Sequence, residues 1–220
     1  MKRQKSNAIL IVYIILFYAV WTAFELIAKN ILDSMIKNTV LCAFIKSGII
    51  KNIAWTLPAI LLIQRFDSKV YITLEEMFTT KINWLKYMPI YIIFTVYVLA
   101  GSILHHGKPE IVFSFGVDKI IIVLFVGLTE EMVFRGWLLN FIIDENKKWP
   151  YIIANAIMFL AIHFPKWISS GTLLSGFTSL QFLEIAALSI VFSLTFIRSK
   201  NILVPISLHM YYDLLVFMFI

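Results

Sequence analysis

The chain has little of what a water-soluble surface needs. Only 15% of its 220 residues are charged, against about 25% in an ordinary globular domain, so a conventional soluble fold is excluded. A single cysteine, Cys42, rules out an internal disulfide and any cysteine-based metal cluster, and nothing around it marks a catalytic thiol. The helical H-E-x-x-H signature of zinc peptidases is missing. No fixed-period repeat, Gly/Ser linker or low-complexity tail points to a second domain. What is abundant is apolar material, at 60% hydrophobic residues and a mean hydropathy of +0.87. A bilayer-spanning helix takes roughly 20 apolar residues. The composition therefore predicts an all-α, polytopic membrane helical bundle whose solvent is the lipid bilayer.

Short polar punctuation divides the chain into about seven expected transmembrane helices. They cover residues 7–28, 39–63, 87–104, a stretch within 117–143, then 150–168, 177–197 and 202 to the end. The first lies behind the basic start "MKRQK". Its apolar run continues through Phe17, Tyr18, Trp21 and Phe24, so it reads as a retained anchor and not a cleaved signal peptide. The second is interrupted by Lys46, Lys51 and Pro58 and is expected to be broken or partly interfacial. Residues 1–110 then form N-terminal transmembrane helices with a cytoplasmic connection. Residues 111–220 form a core that carries most of the buried polar groups.

Cytoplasmic loops hold the excess of Lys and Arg. A cytoplasmic N-terminus puts Lys2, Arg3, Lys5, Arg65, Lys69, Lys81, Lys86, Lys147, Lys148, Arg198 and Lys200 inside, and only Lys29, Lys37, Lys108 and Lys166 outside. The net charge of +6 is thus accounted for by topology, and no nucleic-acid partner is read from it.

Ionisable residues inside spans are costly and default to functional hypotheses. The fourth span, in "GLTEEMVFRGWLLNF", holds Glu130, Glu131 and Arg135; the fifth holds Asn155 and His163; the seventh holds His209 and Asp213. At about 100° per residue, Glu131 and Arg135 share a face and can pair, while Glu130 points about 100° aside. The same spacing aligns His209 with Asp213 in "HMYYD", and Asn155, Phe159 and His163 in "NAIMFLAIH". The doublet alone means little, because "LEEMF" at 74–78 repeats it among Thr, Lys and Asn, where a solvated helix face is expected. His105 and His106, beside Gly107 and Pro109, read as a solvated turn. Three polar patches on three helices are explained either by hydrogen bonding between helices or by one shared site.

The residue types fit hydrolysis. A buried Glu with a neighbouring His can deprotonate water, and a His fixed by an acidic partner can donate to a developing oxyanion. Glu130, His163 and His209 also have the composition of a ligand set for zinc or another divalent metal. A small ion-coupled transporter would also bury carboxylates and histidines, but the two related halves common in transporters are not visible.

"EEMVFR", "FLAIH" and "HMYYD" follow E-E-x-x-x-R, F-x-x-x-H and H-x-x-x-[N/D] in order on successive polar-bearing spans. Together they resemble the CPBP or Abi family of intramembrane proteases, the CAAX proteases and bacteriocin-processing enzymes, similar to type II CAAX prenyl endopeptidases. The resemblance covers about 129–213. It implies catalytic roles for Glu130 and His163 on water and for His209 and Asp213 at the oxyanion. It also implies supporting roles for Glu131, Arg135 and Phe159, with Asn155 aligned behind them. Asp213 departs from the Asn of many members, and an ionised Asp cannot donate. The family has been described both as metalloproteases and as glutamate proteases. The implied substrate is a membrane-associated peptide or protein, in bacteriocin immunity, peptide maturation or CAAX-type processing. A chain this short fits a bacterial cell-membrane member, for which a prenylated substrate is not expected. A non-catalytic immunity or scaffold protein on the same fold is the alternative.

Overall fold

The computed structural model describes the backbone from Lys2 to Ile220 and the side chains from Ala8 onward. The side chains of Lys2, Arg3 and Lys5, which carry part of the charge asymmetry, lie outside the described residues. Among the described residues every regular element is helical. Long apolar helices are what a bilayer selects, because each backbone N–H and C=O must be satisfied within its own segment.

Among the described residues, five helical stretches are long and apolar enough to cross a membrane. The first three are α1 (Ala8–Met35), α2 (Thr39–Arg65) and α3 (Met88–His106). The fourth, Glu145–Ser169, turns at Ile162 and is treated as α5 (Lys148–Ala161) and α6 (His163–Ser169). The fifth is α7 (Gln181–Ser199). Two more helices complete the bundle. Between α3 and α5 lies α4 (residues 117–142), continuous and long but carrying Glu130, Glu131 and Arg135. The last, α8 (Leu203–Phe219), has 17 residues. Several boundaries differ from the sequence expectation. Helix α1 runs on through the polar Lys29–Met35 segment, because Lys29 reaches back to Glu25 and offsets the loss of apolar surface. A separate short helix, Leu173–Thr178, precedes α7, which begins only at Gln181.

The expected break in α2 does not occur. The helix stays continuous through two widened π-helical stretches, Phe44–Ile50 and Asn52–Thr56, and Pro58 falls in the first turn of the tighter run Leu57–Arg65. The change of winding absorbs the proline, whose missing N–H and ring would disrupt a uniform helix interior. Similar wide turns occur at Phe24–Ala28 in α1 and Met132–Leu139 in α4. Such turns often mark functional sites, and here they carry Glu25 and Arg135.

Helix α4 is the axis of the bundle. Every residue from Thr129 to Asn140 is buried, so the helix has no lipid face over three turns and packs against α2, α5, α7 and α8. Helix α8 sits between α3, α4 and α7. Its approach to α4 depends on Gly127, where a Cβ would lie 2.7 Å from Met210 Cγ and 3.3 Å from the Met210 amide nitrogen. Gly127→Val should push α8 away and cost about 1–3 kcal/mol. A lower unfolding midpoint in detergent, with reduced activity, is the expected result; an unchanged midpoint would refute the close-contact account.

The 66–87 connection is fastened to one end of the bundle. Asn140 donates to the Ile72 carbonyl and accepts from its amide, both at 2.8 Å, while Asn201 donates to the Thr80 carbonyl at 2.7 Å. Within it, Thr73 and Glu76 form a reciprocal cap on the short helix Glu76–Thr79. Those bonds, from the Thr73 amide and hydroxyl, hold the exposed Glu76 carboxyl below its usual range. In "LEEMF" the two glutamates are thus solvated on a capped turn, while Met77 is buried in the core.

Candidate active site

Helices α1, α2, α4, α7 and α8 and the α5–α6 turn enclose a cavity of about 530 Å³. Glu130, Phe159, His163, His209 and Asp213 all line it. Three helices distant in sequence therefore present their polar groups to one space. Glu131, Arg135 and Asn155 are fully buried behind the wall.

The centre of the arrangement is His209. Its Nδ1 lies 2.8 Å from Glu131 Oε1, while its Nε2 lies 3.9 Å from Glu130 Oε2 and 3.6 Å from Asp213 Oδ2. Phe192 stacks on the ring at 5.0 Å between centroids. This corrects the sequence geometry in one respect. Glu131 does more than neutralise Arg135, because the same Oε1 that takes Arg135 Nη1 at 2.9 Å also takes His209 Nδ1. Glu130, turned aside as the helix period predicts, faces the cavity and the other ring nitrogen.

Arg135 is held through both of its Nη groups. Besides Glu131, its Nη2 donates to the Ser189 carbonyl at 2.9 Å and hydroxyl at 2.7 Å, and its guanidinium lies over the Phe159 ring at 4.6 Å. Such a planar cation, with forked donors and an aromatic face, is well suited to a fully buried ion pair. With Glu131 ionised, Nδ1 of His209 is the donor to it, and donation from Nε2 then requires the imidazolium. The carboxylates of Glu130, Glu131 and Asp213 supply the opposing charge.

Asn155 does not enter the cavity. Its amide donates to the Phe134 carbonyl in the widened turn of α4 at 2.8 Å and accepts from Ser193, which fastens α5 to α4 and α7. Phe159 packs between His163 and His209, at 5.5 and 5.9 Å. His163 Nδ1 is 3.1 Å from the Phe159 carbonyl, and the ring has no direct hydrogen bond to Glu130. It stands at the α5–α6 turn, where the chain direction changes.

Glu130, His163 and His209, the set a divalent metal would use if one were bound, are not drawn together as ligands. Glu130, His163 and His209 share the cavity, but among the described residues no group of three or more His, Cys, Asp or Glu side chains is placed to hold a metal ion. His209 holds Glu131 through Nδ1 and leaves Nε2 facing the cavity. Among the described residues the donors as placed do not fit a divalent metal.

The structure also adds residues that sequence reading passed over. Lys51 and Glu25 line the same cavity, 3.5 Å apart, with Lys29 3.1 Å from the same carboxylate. Lys51 reads in the sequence as an interruption of a span. The rule that intramembrane charges are functional hypotheses would have flagged it. Tyr212 and Glu184, also on the wall, are hydrogen-bonded to each other.

Residues 112–215 match the family model for type II CAAX prenyl endopeptidase Rce1-like proteins, a segment that includes all eight residues singled out in the sequence. No curated protein and no solved structure matches the chain.

Proposed function

From residues 112–215, which belong to the type II CAAX prenyl endopeptidase Rce1-like family of intramembrane proteases, we propose that this integral membrane protein is an endopeptidase that hydrolyses membrane-associated peptides with Glu130-activated water. The observation that carries this reading is the convergence of Glu130, His163, His209 and Asp213, from three helices, on one cavity.

The steps follow from the geometry. Water in the cavity, oriented by His163, gives a proton to Glu130 as its oxygen attacks the scissile carbonyl. His209 Nε2–H donates to the oxyanion of the tetrahedral intermediate, while Glu131 and Arg135 hold the ring in place through Nδ1. The C–N bond then breaks as Glu130 returns the proton to the leaving amine. Each role is a transition-state interaction, and a fixed donor aimed at the developing charge counts for most. The finer biological setting follows the same lines: a bacterial cell-membrane enzyme that matures a peptide, processes a CAAX-type terminus or confers bacteriocin immunity.

The direct experiment follows a panel of membrane peptides by mass spectrometry with wild type, His163→Ala and His209→Ala. Each variant should lose about a hundred-fold or more in cleavage rate; unchanged rates in both would end the protease reading.

Asp213 acts through His209, as a carboxylate 3.6 Å from Nε2 that favours the imidazolium. Asp213→Asn supplies a direct donor in its place and is expected to keep kcat within about three-fold, whereas Asp213→Ala should fall by about a hundred-fold, the scale of losing one oxyanion contact. An inactive Asn variant with normal protein level would show instead that the negative charge itself is needed.

With the N-terminus cytoplasmic, Lys166 faces the outside. Lys166→Cys in a Cys42→Ala background should react with an impermeant maleimide on intact cells; labelling only after permeabilisation would invert the topology.

A further inference from the structure

Helix α7 carries none of the site residues read from the sequence, yet one of its faces braces the site. Ser189 takes Arg135 Nη2 through its carbonyl and hydroxyl, Ser193 donates to Asn155, and Phe192 lies flat against His209. Spacings of three and four residues put these side chains on one side of the helix. Phe192 is fully buried. The Phe94 ring of α3 meets it edge-on with centroids 6.3 Å apart, and the Arg135 guanidinium lies 5.4 Å from its centre. The Phe192 ring is therefore fixed by its own neighbours, independently of any substrate.

His209 needs such a neighbour. The outer side-chain torsion of a histidine has broad wells, so rotamer preference alone does not fix the ring plane. The one close hydrogen bond of the ring, from Nδ1 to Glu131 Oε1 at 2.8 Å, fixes a single point. Nε2 faces Asp213 at 3.6 Å and Glu130 at 3.9 Å, both beyond hydrogen-bond range, so no second bond holds the plane. Two aromatic contacts remain. Phe159 meets the ring edge-on, at 5.9 Å and 70°, and leaves it room to tilt. Phe192 is stacked on it at 5.0 Å with the two planes 18° apart, and this is the contact that defines a plane. A catalytic donor has to be held within about 10–20° of its productive direction.

We propose that Phe192 is a positioning residue of the reaction: its ring face sets the plane of His209 and so aims Nε2 at the oxyanion. This rests on the protease reading above, in which His209 is the oxyanion donor. Phe192 takes no part in proton transfer and acts through His209 alone. Truncation to leucine keeps much of the apolar volume and leaves the bond from Nδ1 to Glu131 in place, but it removes the flat face. The ring then pivots about that bond, and Nε2 spreads over a range of directions. Substrate binding, which draws on the rest of the cavity, is left as it was.

The experiment takes a membrane peptide that wild type cleaves in the mass-spectrometry panel and measures kcat and KM for wild type, Phe192→Leu and Phe94→Leu in detergent. Phe192→Leu should lower kcat about ten-fold, because misplacing a reacting group is costly though less so than losing the donor. KM should stay within about two-fold. Phe94 belongs to the same buried cluster and makes no ring contact with His209. Phe94→Leu therefore opens a similar gap and should lower the unfolding midpoint by a similar amount, yet keep kcat within about two-fold. In a His209→Ala background, adding Phe192→Leu should change the remaining rate by less than about two-fold, since residues that act as a unit are not additive. Three results would each overturn the proposal and leave the protease reading standing: an unchanged kcat in Phe192→Leu, an equal loss in Phe94→Leu, or a further loss of about ten-fold on top of His209→Ala. A raised KM with kcat unchanged would make Phe192 part of the substrate-binding wall and also overturns it. If wild type cleaves no peptide, the protease reading fails and this inference falls with it.

Discussion

Glu130→Gln should abolish peptide cleavage, with a fall in rate of roughly a thousand-fold or more, while the protein accumulates and folds as wild type does. The two side chains are nearly isosteric, so the cavity keeps its shape. What is lost is a carboxylate able to take a proton from water and return it to the leaving amine. Glu130 is 7% exposed and faces the cavity, and its nearest cationic candidate, His209 Nε2, is 3.9 Å away. No tight internal ion pair is broken by the change. Removing a buried charge that lacks one is as apt to stabilise as to destabilise. Activity and stability are therefore expected to part company, and that separation makes the variant informative. Cleavage by mass spectrometry and an unfolding midpoint in detergent, on the same preparation, give both readings. Lost activity with a collapsed midpoint would assign Glu130 a structural role. Retained activity would favour a non-catalytic scaffold on this fold, which needs no general base.

The helix period in the sequence was enough to separate the two glutamates. Glu131 lies four residues from Arg135, and the pair forms; Glu130 lies one residue earlier, and it faces the cavity. The all-helical architecture was legible for a simpler reason: a bilayer leaves few alternatives for so apolar a chain. The contact between Glu131 and His209 was not legible, since it joins residues 78 apart in sequence and depends on how closely α8 meets α4 at Gly127. The continuity of α2 was hidden as well. Pro58 and two lysines look like a break in one dimension. In three dimensions the widened turns absorb the proline, and Glu25 of α1 holds Lys51. The docking of the 66–87 connection through Asn140 rests on a few hydrogen bonds between distant residues and has no periodic signature.

Arg135→Met should be the most destabilising single change in the site. The guanidinium is fully buried, and so is its partner Glu131. Methionine approximates the volume of the stem but leaves a carboxylate inside the bundle without its cation and frees two acceptors on Ser189. Breaking one side of a buried ion pair costs about 3–5 kcal/mol. For a chain of this size each kcal/mol is about 2–4 °C in the unfolding midpoint, so a drop of roughly 10 °C is expected at fixed scan rate. Glu131→Leu combined with Arg135→Met removes both charges and should recover a good part of that loss, since paired charges couple and single deletions are not additive. Recovery of activity should not follow. In the double variant His209 Nδ1 has lost its acceptor, the ring is free to turn, and the Nε2 donor is no longer aimed at the oxyanion. A double variant that regained stability and full cleavage together would show that His209 does not depend on Glu131 for its orientation. A single Arg135→Met protein melting within about 2 °C of wild type would show that the ion pair does not hold α4 in the bundle.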